Sequence, residues 1–91
     1  MSYEIKQTSQ FRQDVKQALR RGYDIEKLLA VVAMLKDGIP VPQEYRDHAL
    51  TGNFRGYREC HIEADWLLVY RKSEQYLILT LFRTGTHSDI F

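Results

Sequence analysis

The stretch "GYRECHIEADWLLVYRKSEQYLILTLFRT", residues 56–84, decides the fold. It alternates with period two and is interrupted by short polar turns, the pattern of an antiparallel meander. Strands are expected over 56–63, 65–72 and 76–84. A tight turn at Ala64–Asp65 would pair Ile62 with Leu67 and Cys60 with Val69 on the core face. A turn at Ser73–Gln75 would line Leu79 with Val69 and Leu81 with Leu67, and set Arg83 opposite Asp65. The last strand is apolar on both faces, so it is expected inside the sheet. The open face then carries Tyr57, Glu59, His61, Trp66, Tyr70 and Phe82.

Working outward, "SYEIKQT" (2–8) alternates and reads as an N-terminal strand with Tyr3 and Ile5 on one side. From Thr8 the period changes. Phe11, Val15, Ala18 and Leu19 recur at helical spacing, Thr8 or Ser9 can cap the start, and Gly22 suits the end. "DIEKLLAVVAMLKDG" (24–38) is a second helix capped by Asp24, with Ile25, Leu28, Leu29, Val32 and Leu35 as its apolar stripe. Val31 and Met34 widen that face, as core or as partner surface. The short connection makes an antiparallel helical hairpin. "IPVPQEYRDHALTGNF" (39–54) holds both prolines, shows no period and reads as a long loop. The order strand, two helices, three-stranded meander (β-α-α-β-β-β) defines an α+β two-layer domain over 1–91.

Composition narrows the class. The chain has 91 residues, 44% hydrophobic and 27% charged, which fits one folded domain. Its longest apolar stretch, Leu28–Leu35, is too short to span a bilayer, and no secretory leader opens the chain. A single cysteine, Cys60, forms no internal disulfide and points to a reducing cytosol. It faces the core and reads as inert packing. With 13 Lys+Arg against 12 Asp+Glu, net charge announces no nucleic-acid binder, so any such role rests on local clustering.

All three histidines, His48, His61 and His87, lie in the second half: loop, open sheet face and tail. Imidazole titrates near neutral pH, so converging histidines supply both a general base and a general acid. Asp65 or Glu59 can orient an imidazole or hold it charged. Arg83 can neutralise a phosphate. RNA carries its own nucleophile, the 2′-hydroxyl, and this inventory suits a metal-free ribonuclease. A zinc site built from the histidines and Asp65 is the competing reading, disfavoured by the lack of any His-x-His or His-x3-His pair. Arg12, Lys16 and Arg20 recur on one face of the first helix, as a solvated face or as an RNA-phosphate stripe. Tyr57, Trp66 and Phe91 are packing anchors unless they line a groove, where bases would stack on them.

At "DHALTGNFRGYRECHIEADWLLVY" (47–70) and "RTGTHSDIF" (83–91) the chain closely resembles the YafQ branch of the RelE/ParE superfamily of bacterial toxins. That resemblance implies a RelE-like fold and a ribosome-dependent endoribonuclease that cuts messenger RNA in the 30S A site of the bacterial cytoplasm. It implies catalytic roles for His48, His61, Asp65 and His87, with RNA contacts from Arg83 and Phe91; Arg55 and the helix residues Lys16 and Arg20 are further candidate RNA contacts by their charge. It implies no cofactor and no metal. The expected partner is a cognate antitoxin, usually in a heterotetramer, and the free toxin is expected as a monomer. Ala64 departs from the family's usual proline before the acid, and Glu59 stands where aspartate also occurs. A gyrase-inhibiting toxin of the ParE type, acting by binding alone, is the runner-up, because the fold permits both.

Overall fold

The computed structural model describes residues 2–91; Met1, the first residue of the expected 1–91 domain, lies outside them. The elements run β1 (Glu4–Gln7), α1 (Ser9–Arg20), α2 (Ile25–Lys36), β2 (His48–Ala49), β3 (Arg58–Glu63), β4 (Trp66–Ser73), β5 (Ile78–Gly85) and α3 (His87–Ile90). The strands form one five-stranded mixed sheet in the order β1-β5-β4-β3-β2. β1 and β5 pair in parallel, and the connection between them runs through the helical hairpin and then β2, β3 and β4.

Helix boundaries follow their capping chemistry. The Thr8 hydroxyl oxygen accepts from the Phe11 amide at 2.9 Å and donates to the Phe82 carbonyl at 2.8 Å, pinning the start of α1 to β5. Asp24 accepts from the Glu26 amide at 3.2 Å to open α2. Gly22, with φ 79°, lets the chain reverse between the helices. Phe11, Ala18, Leu28, Val31, Val32 and Leu35 pack with Tyr3, Cys60, Ile62, Trp66, Leu68, Tyr70, Leu79 and Leu81 in one core. Val31 is therefore core. Leu19 and Leu29, expected in the apolar stripes, are 54% and 52% exposed. Their neighbours Ala18 and Leu28 take the inward positions, and about 100° of helical rotation turns Leu19 and Leu29 outward.

The sheet corrects the expected registers. Glu63 faces Trp66 across the turn, but a bulge between His61 and Glu63 shifts the ladder, so Cys60 faces Leu68 and His61 faces Leu67. One extra residue exchanges the faces of β4. Trp66, Leu68 and Tyr70, expected on the open face, pack under the helices, with Trp66 4.8 Å from the Tyr23 ring. Leu67 and Val69 instead share the far face with His61 and Glu59.

The β4–β5 turn has four residues, Glu74–Leu77, not three, and Leu77 adopts φ 53°. With a second bulge, Val69 faces Arg83 and Tyr70 faces Leu81. Arg83 therefore does not stand opposite Asp65. The expected interior position of β5 holds. The long loop hides β2, a two-residue strand pairing His48 with Glu59 and Ala49 with Arg58.

Candidate active site

The far face of the sheet gathers the histidines from three separate segments. His48 stands on β2 at the edge, His61 on β3, and His87 begins α3 directly after β5. Ring centroids are 6.3 Å apart for His48 and His61, and 6.0 Å for His61 and His87. At the centre lies Glu59, 5% exposed. Its Oε2 is 3.3 Å from His48 Nε2, and its Oε1 is 3.9 Å from His61 Nε2 and 3.7 Å from His87 Nε2. Glu59 Oε1 is buried without a hydrogen-bond partner among the described residues. A carboxylate removed from water is costly unless positive charge or a proton stands beside it. Here three imidazole nitrogens surround one such carboxylate.

The opposite ring nitrogens fix the tautomers. His48 Nδ1 lies 2.7 Å from the Arg46 carbonyl and His61 Nδ1 lies 3.3 Å from the Ala64 carbonyl. A carbonyl oxygen only accepts, so each Nδ1 carries the hydrogen. His87 Nδ1 donates to Asp65 Oδ1 at 2.9 Å, and the His87 amide donates to the same oxygen at 3.1 Å. These bonds from His87 hold the Asp65 carboxyl below the usual carboxylate range. With Nδ1 carrying the hydrogen, each ring turns Nε2 toward Glu59, where it accepts a proton when neutral and offers an N–H to the carboxylate when protonated.

The tail is docked rather than frayed. Thr86 and Asp89 form a reciprocal capping box around the single turn of α3. Arg21, just past α1, donates to both Asp89 oxygens at 2.6 and 3.0 Å. Gly85 has φ 152°, and a Cβ there would meet Asp89 Oδ2 at 2.8 Å, so the approach of α3 to β5 requires glycine. An aromatic ridge flanks the cluster. Tyr57 contacts Phe82 at 4.6 Å, Phe82 meets Phe54 at 6.5 Å, Phe54 meets Phe91 at 4.9 Å, and Phe91 meets His87 at 6.2 Å. Phe91 remains 52% exposed.

Of the residues singled out from sequence, His48, His61, Asp65, His87 and Phe91 therefore meet. Arg55 is exposed next to Phe54 on the ridge. Lys16 and Arg20 lie on the exposed face of α1 and make no ion pair among the described residues. Arg83 is engaged elsewhere. Its Nε donates to buried Asp14 at 2.7 Å, and its Nη2 donates to Asp14 at 3.2 Å and to the Asp89 carbonyl at 3.2 Å. Asp14 was not among the residues singled out from sequence. Glu59 was legible only as a residue able to orient an imidazole, not as the hub. Burial pushes the Cys60 thiol up to about 12, consistent with inert packing. No group of three or more His, Cys, Asp or Glu side chains stands in metal-ligating geometry among the described residues. No helix is long and apolar enough to cross a membrane among them.

Residues 3–91 match the family described as bacterial toxin of type II toxin-antitoxin system, YafQ. The mRNA interferase toxin YafQ of Escherichia coli K12 is 38% identical over 89 residues, spanning 97% of this chain and 95% of the relative. The E. coli DinJ-YafQ toxin-antitoxin complex contains a chain that superposes with TM-score 0.91 at 37% identity, covering 100% of this chain and 99% of that one. A metal-bound toxin from Helicobacter pylori superposes with TM-score 0.92 at 37% identity over 100% of both chains. The shared architecture and the family match define a bacterial toxin of a type II toxin–antitoxin system. Within that class the chain belongs to the YafQ family.

Proposed function

We propose that the chain is an mRNA interferase, an endoribonuclease that cuts messenger RNA at the ribosomal A site and so arrests translation. The observation that carries this is the convergence of three imidazole Nε2 atoms on one buried carboxylate beside an exposed aromatic ridge. A protein that acts by binding alone has no need of such an arrangement. The E. coli relative bears the name mRNA interferase toxin, which supports the same reading.

In the proposed reaction a neutral imidazole Nε2 removes the proton from the substrate's 2′-hydroxyl. The 2′-oxygen attacks the adjacent phosphorus and the bond to the 5′-oxygen breaks. A second, protonated imidazole delivers a proton to that leaving oxygen, leaving a 2′,3′-cyclic phosphate. Each positioned acid or base contributes about 10²–10⁴-fold in rate. His87 and His48 have side chains 57% and 49% exposed, so they are assigned the direct proton transfers. His61, 13% exposed, lies between them as their support and proton reserve. Asp65 holds the His87 ring through Nδ1. Phe91 offers a stacking face to a base. Arg55, Lys16 and Arg20 supply the cationic contacts to RNA, whereas Arg83 braces the tail from behind.

The catalytic groups are imidazoles, and cleavage is expected to proceed without a metal ion. The neutralising partner is a cognate antitoxin that covers this face, as a heterotetramer in the repressed state, with the free toxin monomeric. Primer extension on a translated messenger tests the reading. Codon-spaced cuts that need ribosomes and survive a chelator are expected. Intact messenger with broken DNA would replace it by the gyrase-directed reading. Chelator-sensitive cutting would overturn the metal-free chemistry.

A further inference from the structure

We propose that Asp47 is a positioning residue that fixes His48 in the site through an anchor with Tyr70 and Arg58 on the opposite side of the sheet. The inference rests on the ribonuclease reading of the site, but its geometry stands apart from it.

His48 has little else to hold it. β2 is two residues long and lies at the edge of the sheet, so its ladder alone fixes no side chain firmly. The chain enters β2 through Arg46, a non-glycine residue at φ 48°. That left-handed backbone is disfavoured for a side chain bearing a Cβ, and persists only where its surroundings over-determine it. It has a use: it aims the Arg46 carbonyl at His48 Nδ1, 2.7 Å away.

Asp47 is what holds this bend. Asp47 immediately precedes β2, and while His48 meets Glu59 the Asp47 side chain reaches the core residue Tyr70 on the helix side. Asp47 Oδ1 accepts from Arg58 Nε at 2.7 Å, with Nη2 also at 2.7 Å. Oδ2 accepts from the hydroxyl of Tyr70, which is 1% exposed within the core. Burial and Asp47 hold the Tyr70 phenol well above its ordinary pKa, so it remains a donor. The anchor thus ties a short edge strand to a central core residue and sets the orientation of His48 toward Glu59.

A double-mutant cycle on ribosome-dependent cleavage, read under single-turnover conditions, tests this. Asp47→Ala is expected to slow cleavage about as much as His48→Gln, on the order of 10²-fold. Adding Asp47→Ala to His48→Gln should then cost nothing further. Additive losses would overturn the proposal, since they would mean general structural damage. Tyr70→Phe removes one hydroxyl from the anchor and serves if Asp47→Ala does not fold. It should slow cleavage about 10-fold in the wild-type background and not at all with His48→Gln. The second arm needs no activity. In NMR spectra with labelled histidine, the His48 ring should lose its contact with Glu59 in Asp47→Ala while the His87–Asp65 contact persists. A His48 ring that keeps its contact refutes the anchor. If the wild type cuts nothing, the ribonuclease reading fails while the NMR arm still decides the anchor.

Discussion

Replacing Asp14 by alanine should unfold the molecule far more readily than its position on a helix suggests. Asp14 is 5% exposed. Its carboxylate accepts from Arg83 Nε at 2.7 Å, Arg83 Nη2 at 3.2 Å, the Thr84 amide at 3.1 Å and Gln10 Nε2 at 3.0 Å. The alanine variant leaves a guanidinium and a buried amide without their acceptor. Breaking a buried pair from one side costs about 3–5 kcal/mol. The Arg83 side chain is 21% exposed and regains some hydration, which puts the loss near the low end, about 3 kcal/mol. At roughly 4–8 °C per kcal/mol for a domain of this size, the midpoint of thermal unfolding should fall by roughly 12–24 °C. Urea titration at neutral pH gives the free energy directly, and amide exchange at Thr84 reports the local loss. A cost below about 1 kcal/mol, the worth of an ordinary surface pair, would refute the reasoning. It would return Arg83 to the pool of cations available to phosphate.

Other consequences are equally open to measurement. Asp65→Asn removes the carboxylate that receives His87 Nδ1–H, so cleavage should fall about 10²–10⁴-fold while the unfolding midpoint stays within a few degrees; unchanged cleavage would end the role of Asp65. The pairing of Arg21 with Asp89 holds the Asp89 carboxyl far below its unfolded value, so its stabilisation is complete above the ordinary carboxylate range and is lost as pH falls through the folded value. Arg21→Gln should therefore lower stability at neutral pH, with the gap to wild type closing in acid; a gap independent of pH would contradict the pairing. Gly85→Ala should cost about 1–3 kcal/mol and reduce cleavage, because the new Cβ at φ 152° would force Asp89 and α3 away. Deleting Ile90 and Phe91 should damage cleavage more than folding, and a truncated protein that cuts normally would show that the docked tail is dispensable.

Much of the fold was legible because it follows from period and punctuation. Thr8, Gly22 and Asp24 mark the helix ends by chemistry that acts locally. The registers were not legible, for a physical reason. A bulge at Ile62 adds one residue to β3 without changing its composition, and the alternation of β4 is apolar on both faces, so either phase satisfies the pattern. Leu77 at φ 53° hides the longer turn in the same way, since nothing about leucine announces a left-handed residue. The site was readable from chemistry: histidines and an acid stand out against their segments. The burial of Glu59 and Asp14 was not legible, because an acid carries no local mark of the tertiary contacts that cover it. The register of Arg83 was hidden in the same way. Its true partner lies 69 positions away on α1.

The bulge at Ile62 also bears on how this hairpin can change over generations. In the turn, the identity of exposed Ala64 is loosely constrained, whereas Asp65 is held by its bonds from His87. The number of residues between Glu59 and Trp66 is fixed. Losing one residue there would restore a regular ladder and turn Trp66, Leu68 and Tyr70 outward, while Leu67 and Val69 took the place of the indole under the helices. Asp47 would lose its phenol and His87 its carboxylate in the same event. Substitutions at Ala64 should drift freely, whereas a single codon gained or lost would disarm the protein and unmake its core together.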